Sequence, residues 1–188
     1  MFFDRKPAHP APQEDLANLK VTNARVGDTL SVSGAAEDFS DVDFNVDRVD
    51  VYEAGSNRWT ELSGMWRDRR VVLEIHNDDS IRVTGNFDGR KLTLDELGLS
   101  EDDLAQLDSR QNPADFFDFE NKFWLYRQSR EMGVFSDGAA TGRGFYGWEF
   151  HEQDGKRYLI VRKFAGEPFS ASIRVQVEPS DITVFRGA

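Results

Sequence analysis

Cysteine is absent from the 188 residues of the chain, which excludes a disulfide framework, a thiolate metal site and a cysteine nucleophile, and fits a reducing cytoplasm. Histidine is scarce. His9, His76 and His151 are the only three, and they stand too far apart in sequence for a paired-histidine metal spacing. No stretch approaches the ~18 apolar residues of a membrane span, and the opening Met1-Phe2-Phe3-Asp4-Arg5-Lys6-Pro7 lacks the apolar core of a signal peptide. Direct membrane insertion is therefore not expected, and a cytoplasmic location is. Basic residues are in deficit: 23 against 34 acidic ones give a net charge of -11, which repels phosphate backbones and anionic lipid and argues against nucleic acid as a partner. No G-x-S-x-G elbow offers a serine nucleophile. An enzyme is not expected, and only catalysis by paired carboxylates stays open, because acids are abundant and only their pairing in space would matter.

What the sequence does contain is alternation. Leu30-Ser31-Val32-Ser33 alternates, as do Val42, Phe44 and Val46 with the acids between them, and Arg48-Val49-Asp50-Val51 then carries its apolar residues on odd positions. Such a phase flip marks a β-bulge or a break between strands. Two strands are expected around the polar turn His76-Asn77-Asp78-Asp79, and five more over 116–126, 144–151, 156–164, 171–177 and 181–185. Turns fit at Asn112-Pro113, Ser136-Asp137-Gly138, Gln153-Asp154-Gly155 and Ala165-Gly166. Between the strand blocks, Thr93 with Glu96 and Ser100 with Asp103 have capping-box spacing, and Leu94, Leu97, Leu104 and Leu107 form a periodic edge. Two short helices separated by Gly98 are expected within about 93–110.

The reading is a mainly β fold (α+β at most), an antiparallel β sandwich or barrel-like domain with two short helices in a central insertion. Residues 1–15, with Pro7, Pro10 and Pro12, read as a disordered tail, and 16–188 as a single β-rich domain. An echo between halves points to two similar β units. It matches Trp59-Thr60-Glu61-Leu62 with Trp148-Glu149-Phe150, Arg70-Val71-Val72-Leu73 with Arg157-Tyr158-Leu159-Ile160, and Ser80-Ile81-Arg82-Val83 with Ser172-Ile173-Arg174-Val175.

Two motifs fail in context. Asp41 to Asp47 imitates a calcium loop but has Val46 where the turn needs glycine and Tyr52 where the bidentate glutamate belongs. Gly142-Arg143-Gly144-Phe145-Tyr146-Gly147 spells the dinucleotide fingerprint, but Trp148-Glu149-Phe150 continues as strand where a helix N-terminus is required. No catalytic, cofactor-binding or metal-binding residues are assigned, and no cofactor is expected. The aromatic residues and their acidic neighbours define a candidate pocket: Trp59, Glu61, Trp124, Tyr126, Glu131, Trp148 and Glu149. Aromatic faces plus carboxylates would hold a small organic cation such as a polyamine. The span from Asp95 to Glu120 holds nine acids against Arg110 alone. Within it Asp95, Glu96, Glu101, Asp102, Asp103 and Asp108 form a candidate surface for a protein partner.

Val26-Gly27-Asp28, Trp59-Thr60-Glu61-Leu62, Leu73-Glu74, Ser129-Arg130-Glu131, the run Phe145-Tyr146-Gly147-Trp148-Glu149-Phe150 and Tyr158-Leu159-Ile160 together resemble bacterial domain of unknown function family 4178. Members of that family neighbour genes for phage-shock-type membrane-stress proteins, small membrane proteins and polyamine synthesis. The resemblance implies a non-enzymatic cytosolic interaction module, accessory to an envelope-stress or polyamine-linked system, with no catalytic residues to carry over. The alternatives are a β domain that binds a small organic cation and, behind it, a carboxylate-based enzyme.

Overall fold

A computed structural model describes residues 19–187; the expected tail over 1–15 lies outside the described residues. Eleven antiparallel strands form one sheet: β1 (Thr29–Val32), β2 (Val42–Ala54), β3 (Asn57–Trp66), β4 (Arg69–Asn77), β5 (Ile81–Asn86), β6 (Phe116–Phe119), β7 (Lys122–Ser136), β8 (Arg143–Glu152), β9 (Arg157–Phe164), β10 (Ser170–Val177) and β11 (Ile182–Phe185). Two helices, α1 (Leu94–Leu97) and α2 (Glu101–Arg110), join β5 to β6. Both capping boxes expected from sequence are formed, and Gly98 closes α1 in the left-handed conformation.

The sheet closes on itself. β2, β3, β4, β5, β10, β9, β8 and β7 follow one another as hydrogen-bonded neighbours, and Asp50–Glu53 of β2 then pairs with Gly133–Ser136 of β7. This eight-stranded ring answers the choice between sandwich and barrel, and it removes free edges from the ring itself. β2 and β7 are long enough to outrun the ring. The first half of β2 carries β1 and β11 outward, and the first half of β7 carries β6. A bulge bends each long strand where it leaves, between Val46 and Arg48 and between Tyr126 and Gln128. The first is the phase flip read in the sequence. The single strand expected over 116–126 is two, because Glu120 and Asn121 both take positive φ (55° and 58°) and make a two-residue hairpin turn.

Like strand therefore meets like strand across a pseudo-two-fold axis: β2 pairs with β7 and β5 with β10. Aligning the two bulges matches Gly64 with Phe150, and the registers then match Trp59 with Phe145, His76 with Phe164 and Glu74 with Arg162. The seam confirms it, for Trp59 stacks on His76 at 5.1 Å and Phe145 on Phe164 at 4.8 Å. The sequence echo found the right units but the wrong residues. Matching Trp59 to Trp148 is off by an odd number of positions, which reverses the face of a strand.

The apolar faces of the ring point outward. Leu62, Val71, Leu73, Ile75 and Val83 pack beneath β1, β11 and the start of β2. Phe150, Leu159, Val161 and Ala171 pack beneath α1, α2 and the start of β7. Two apolar cores thus clasp the ring from outside, while its inner face carries polar and charged side chains beside a third apolar cluster of Tyr52, Ala54, Trp59, Met132, Val134 and Phe145.

Candidate functional site

The ring's interior is built from the alternate positions that a reading of polar residues as solvent-facing would discard. At its middle, Glu61 and Glu74 are cross-strand neighbours, an arrangement in which two carboxylates repel. Two arginines from the other half resolve it. Arg174 donates from Nη2 to Glu61 Oε2 at 2.8 Å and from Nη1 to Glu74 Oε2. Arg162 lies 3.3 Å from Glu61 and 3.7 Å from Glu74. Tyr52 completes the group, its hydroxyl donating to Glu61 at 3.2 Å and accepting from Arg162 at 2.9 Å. Burial alone would push the glutamates up, but the arginines outweigh it. Glu61 lies below the usual carboxylate range, and Glu74, helped by His76, falls to about 2. Burial pushes Tyr52 up to about 12. Both carboxyls are therefore ionised at neutral pH, and neither has a proton to give as a general acid.

This plug divides the lumen into two mouths. The first is a cavity of about 320 Å³ lined by Trp59, Glu74, His76, Arg130, Glu149, Tyr158 and Arg174 among others. Trp59 is 5% exposed and lies between Tyr52 (5.7 Å, 13° between planes) and His76 (5.1 Å, 17°). Glu74 Oε1 holds His76 Nε2 at 2.9 Å. Two buried donors here, the Trp59 indole Nε1 and Arg130 Nε, have no hydrogen-bond partner among the described residues. An unmet buried donor costs about 1–3 kcal/mol, so its place in a cavity wall is informative. Acids stand nearer the solvent: Glu149, Asp78 and Glu178. The mouth has buried donors within and, at the rim, carboxylates together with Arg82, which pairs with Asp78 at 3.3 Å.

Of the residues expected to form a pocket, Trp59, Glu61 and Glu149 do face the lumen. Trp124, Tyr126 and Trp148 do not; they belong to the outer apolar core, where the Trp148 indole N–H donates to the Leu104 carbonyl at 3.2 Å. Glu131 is exposed and points away from the lumen. The reason is parity. Tyr126 precedes the bulge of β7, and Trp148 and Glu131 each stand one residue from an inward position, so aromatic and acid that adjoin in sequence lie on opposite faces. Sequence reasoning missed Tyr52, Glu74, His76, Arg130, Arg162 and Arg174. The available signal was polar residues recurring at alternate positions, Arg70, Glu74 and His76 on β4 and Ser170, Ser172, Arg174 and Gln176 on β10, without an interruption of the strand pattern.

The acidic helices are only partly free. Glu96 and Asp103 are held in the capping boxes, and Asp108 accepts from Ser129, Tyr146 and Gln111. Asp95, Glu101 and Asp102 remain exposed. Gly142 to Gly147 leads into β8 rather than a helix, and Asp41 to Asp47 runs into and along β2.

Fold and site define an antiparallel barrel with an ion-paired lumen between two external apolar cores. No protein-family model matches the chain, and neither the curated proteins nor the solved structures contain a match. Among the described residues no helix is long and apolar enough to cross a membrane.

Proposed function

We propose that this protein binds a small zwitterion of the amino-acid class in the mouth lined by Trp59, His76, Arg130 and Glu149, holding the molecule rather than transforming it. The observation that carries this is the pair of unpartnered buried donors, Trp59 Nε1 and Arg130 Nε. Both are N–H groups, so the occupant must present an acceptor, and a carboxylate satisfies a guanidinium and an indole together. The rim acid Glu178, with the partly exposed Glu149 and Asp78 keeping one oxygen each beyond their pairs with Arg130 and Arg82, suits an ammonium group pointing outward. The volume lies at the lower end of small-molecule sites. A polyamine meets only half of this arrangement, because it brings no acceptor and Glu61 is already neutralised by Arg162 and Arg174. Holding rather than turnover fits the ionised state of Glu61 and Glu74.

Native mass spectrometry on protein purified gently from its own host tests this. A retained mass that matches an amino acid or a close derivative supports the proposal, and retention of a polyamine alone overturns it.

A docking role for the acidic helices is the second reading, favoured by the exposure of Asp95, Glu101 and Asp102. The envelope-stress setting enters it only through the resemblance given above. Reproducible capture of a basic protein that is lost when these three acids become asparagine and glutamine would support it.

A further inference from the structure

The pseudo-two-fold axis exchanges the ends of the barrel, so the mouth at Trp59 has a counterpart at the opposite end. That counterpart is a cavity of about 550 Å³. Its chemistry differs. Seven bases line it (Arg48, Arg70, Arg90, Lys91, Arg143, Arg162 and Arg174) against the acids Asp50, Glu61 and Glu167, in a protein whose net charge is -11. The first mouth, by contrast, is balanced, with Glu74, Asp78, Glu149 and Glu178 against His76, Arg82, Arg130 and Arg174. Ser170 and Ser172 add hydroxyls to the wall. The innermost arginines each keep one donor unmet: Arg162 Nε and the almost fully buried Arg174 Nε have no hydrogen-bond partner among the described residues. The outer arginines are held in place, Arg48 by Asp50 at 2.6 Å, Arg70 by Asp47 at 2.7 Å and Arg143 by Glu167 at 2.5 Å. A guanidinium has five N–H donors, so each of these ion pairs leaves some of them for a ligand.

We infer that this second mouth is a binding site for a small phosphate-bearing anion. Donors that converge from several arginines, a lysine and serine hydroxyls suit a group with three or more equivalent oxygens better than a single carboxylate. The seat is recessed in the barrel end, which admits a small anion, while the overall charge repels a polyanion such as nucleic acid.

The test is calorimetric titration of the full chain with inorganic phosphate, pyrophosphate and glycerol phosphate at low and moderate salt. Lys91 and Arg143 serve for substitution because they are peripheral, whereas loss of Arg162 or Arg174 would strip the buried glutamates. Saturable one-to-one binding that weakens about tenfold in the Lys91→Gln/Arg143→Gln double variant, weakens with salt and survives Trp59→Phe supports the inference. Tighter binding of glycerol phosphate than of phosphate would place the organic part of the ligand in the lumen, and supports it too. Absence of saturable binding, equal affinity in the double variant, or loss of binding on Trp59→Phe overturns it. Retained two-dimensional amide spectra of the variants separate loss of site from loss of fold. Because the Trp59 mouth is read by a different variant, failure there leaves this result unaffected.

Discussion

Arg174 is the residue on which the lumen depends most. The residue is 3% exposed, and its guanidinium holds both glutamates. Replacing it with methionine keeps the volume and leaves two buried carboxylates to Arg162 alone. Breaking a buried ion pair from one side costs about 3–5 kcal/mol, so Arg174→Met should lower unfolding free energy by that order in urea titration. Adding Glu61→Gln, which removes one of the stranded charges, should restore part of it; if the double variant is no more stable than the single one, the central network is not what holds the barrel middle. Trp59→Phe is the complementary change. The stack between Tyr52 and His76 survives while the indole N–H goes, so stability should change little and affinity for a carboxylate-bearing ligand should fall about tenfold.

At the scale of elements, Gly64 shows what closure requires. It opposes Val46 just before the bulge of β2, and a Cβ there would meet the Asn45 carbonyl oxygen at 2.0 Å and the Phe44 ring at 2.7 Å. A backbone atom cannot give way cheaply, so Gly64→Ala should destabilise by more than about 2 kcal/mol, measured against Gly144→Ala on β8, where an added Cβ meets nothing within 4 Å, as a reference for glycine loss alone. The helices were legible because capping is local: Thr93-x-x-Glu96 and Ser100-x-x-Asp103 state their partners within four residues. Ser100→Ala should cost about 1 kcal/mol. The bulge at Asp47 was legible for the same reason. The lumen was not, since alternation tells that a strand has two faces but not which one the fold encloses. Here the usual assignment is inverted. Val71, Leu73 and Ile75 face outward beneath β1 and β11, and Glu74 and His76 face inward. Trp148 was grouped with Glu149 by adjacency, and adjacency on a strand means opposite faces.

For the molecule as a whole, ion pairs buried at the centre of the ring predict a specific acid response. Glu74 is held near 2 in the folded chain against an ordinary 4.5, so the folded state binds its proton less readily than the unfolded one. Its contribution is complete above pH 4.5 and is lost as pH falls from there toward 2, worth on the order of 3 kcal/mol. Glu61 is displaced in the same direction. Thermal stability should therefore drop steeply between about pH 4.5 and 2, and Glu74→Gln should flatten that slope while lowering stability at neutral pH; an unchanged slope would contradict the assignment.

The central claim, that the Trp59 mouth receives an acceptor-bearing zwitterion, is tested most directly by nuclear magnetic resonance of the indole N–H signals in ¹⁵N-labelled protein. The chain has four tryptophans, and the Trp59→Phe spectrum assigns the signal of interest. On titration with a mixture of the common amino acids, and then with each in turn, the Trp59 indole resonance should move downfield and saturate with at least one of them, and spermidine should leave it in place. An indole signal that responds to spermidine and to no amino acid would contradict the account.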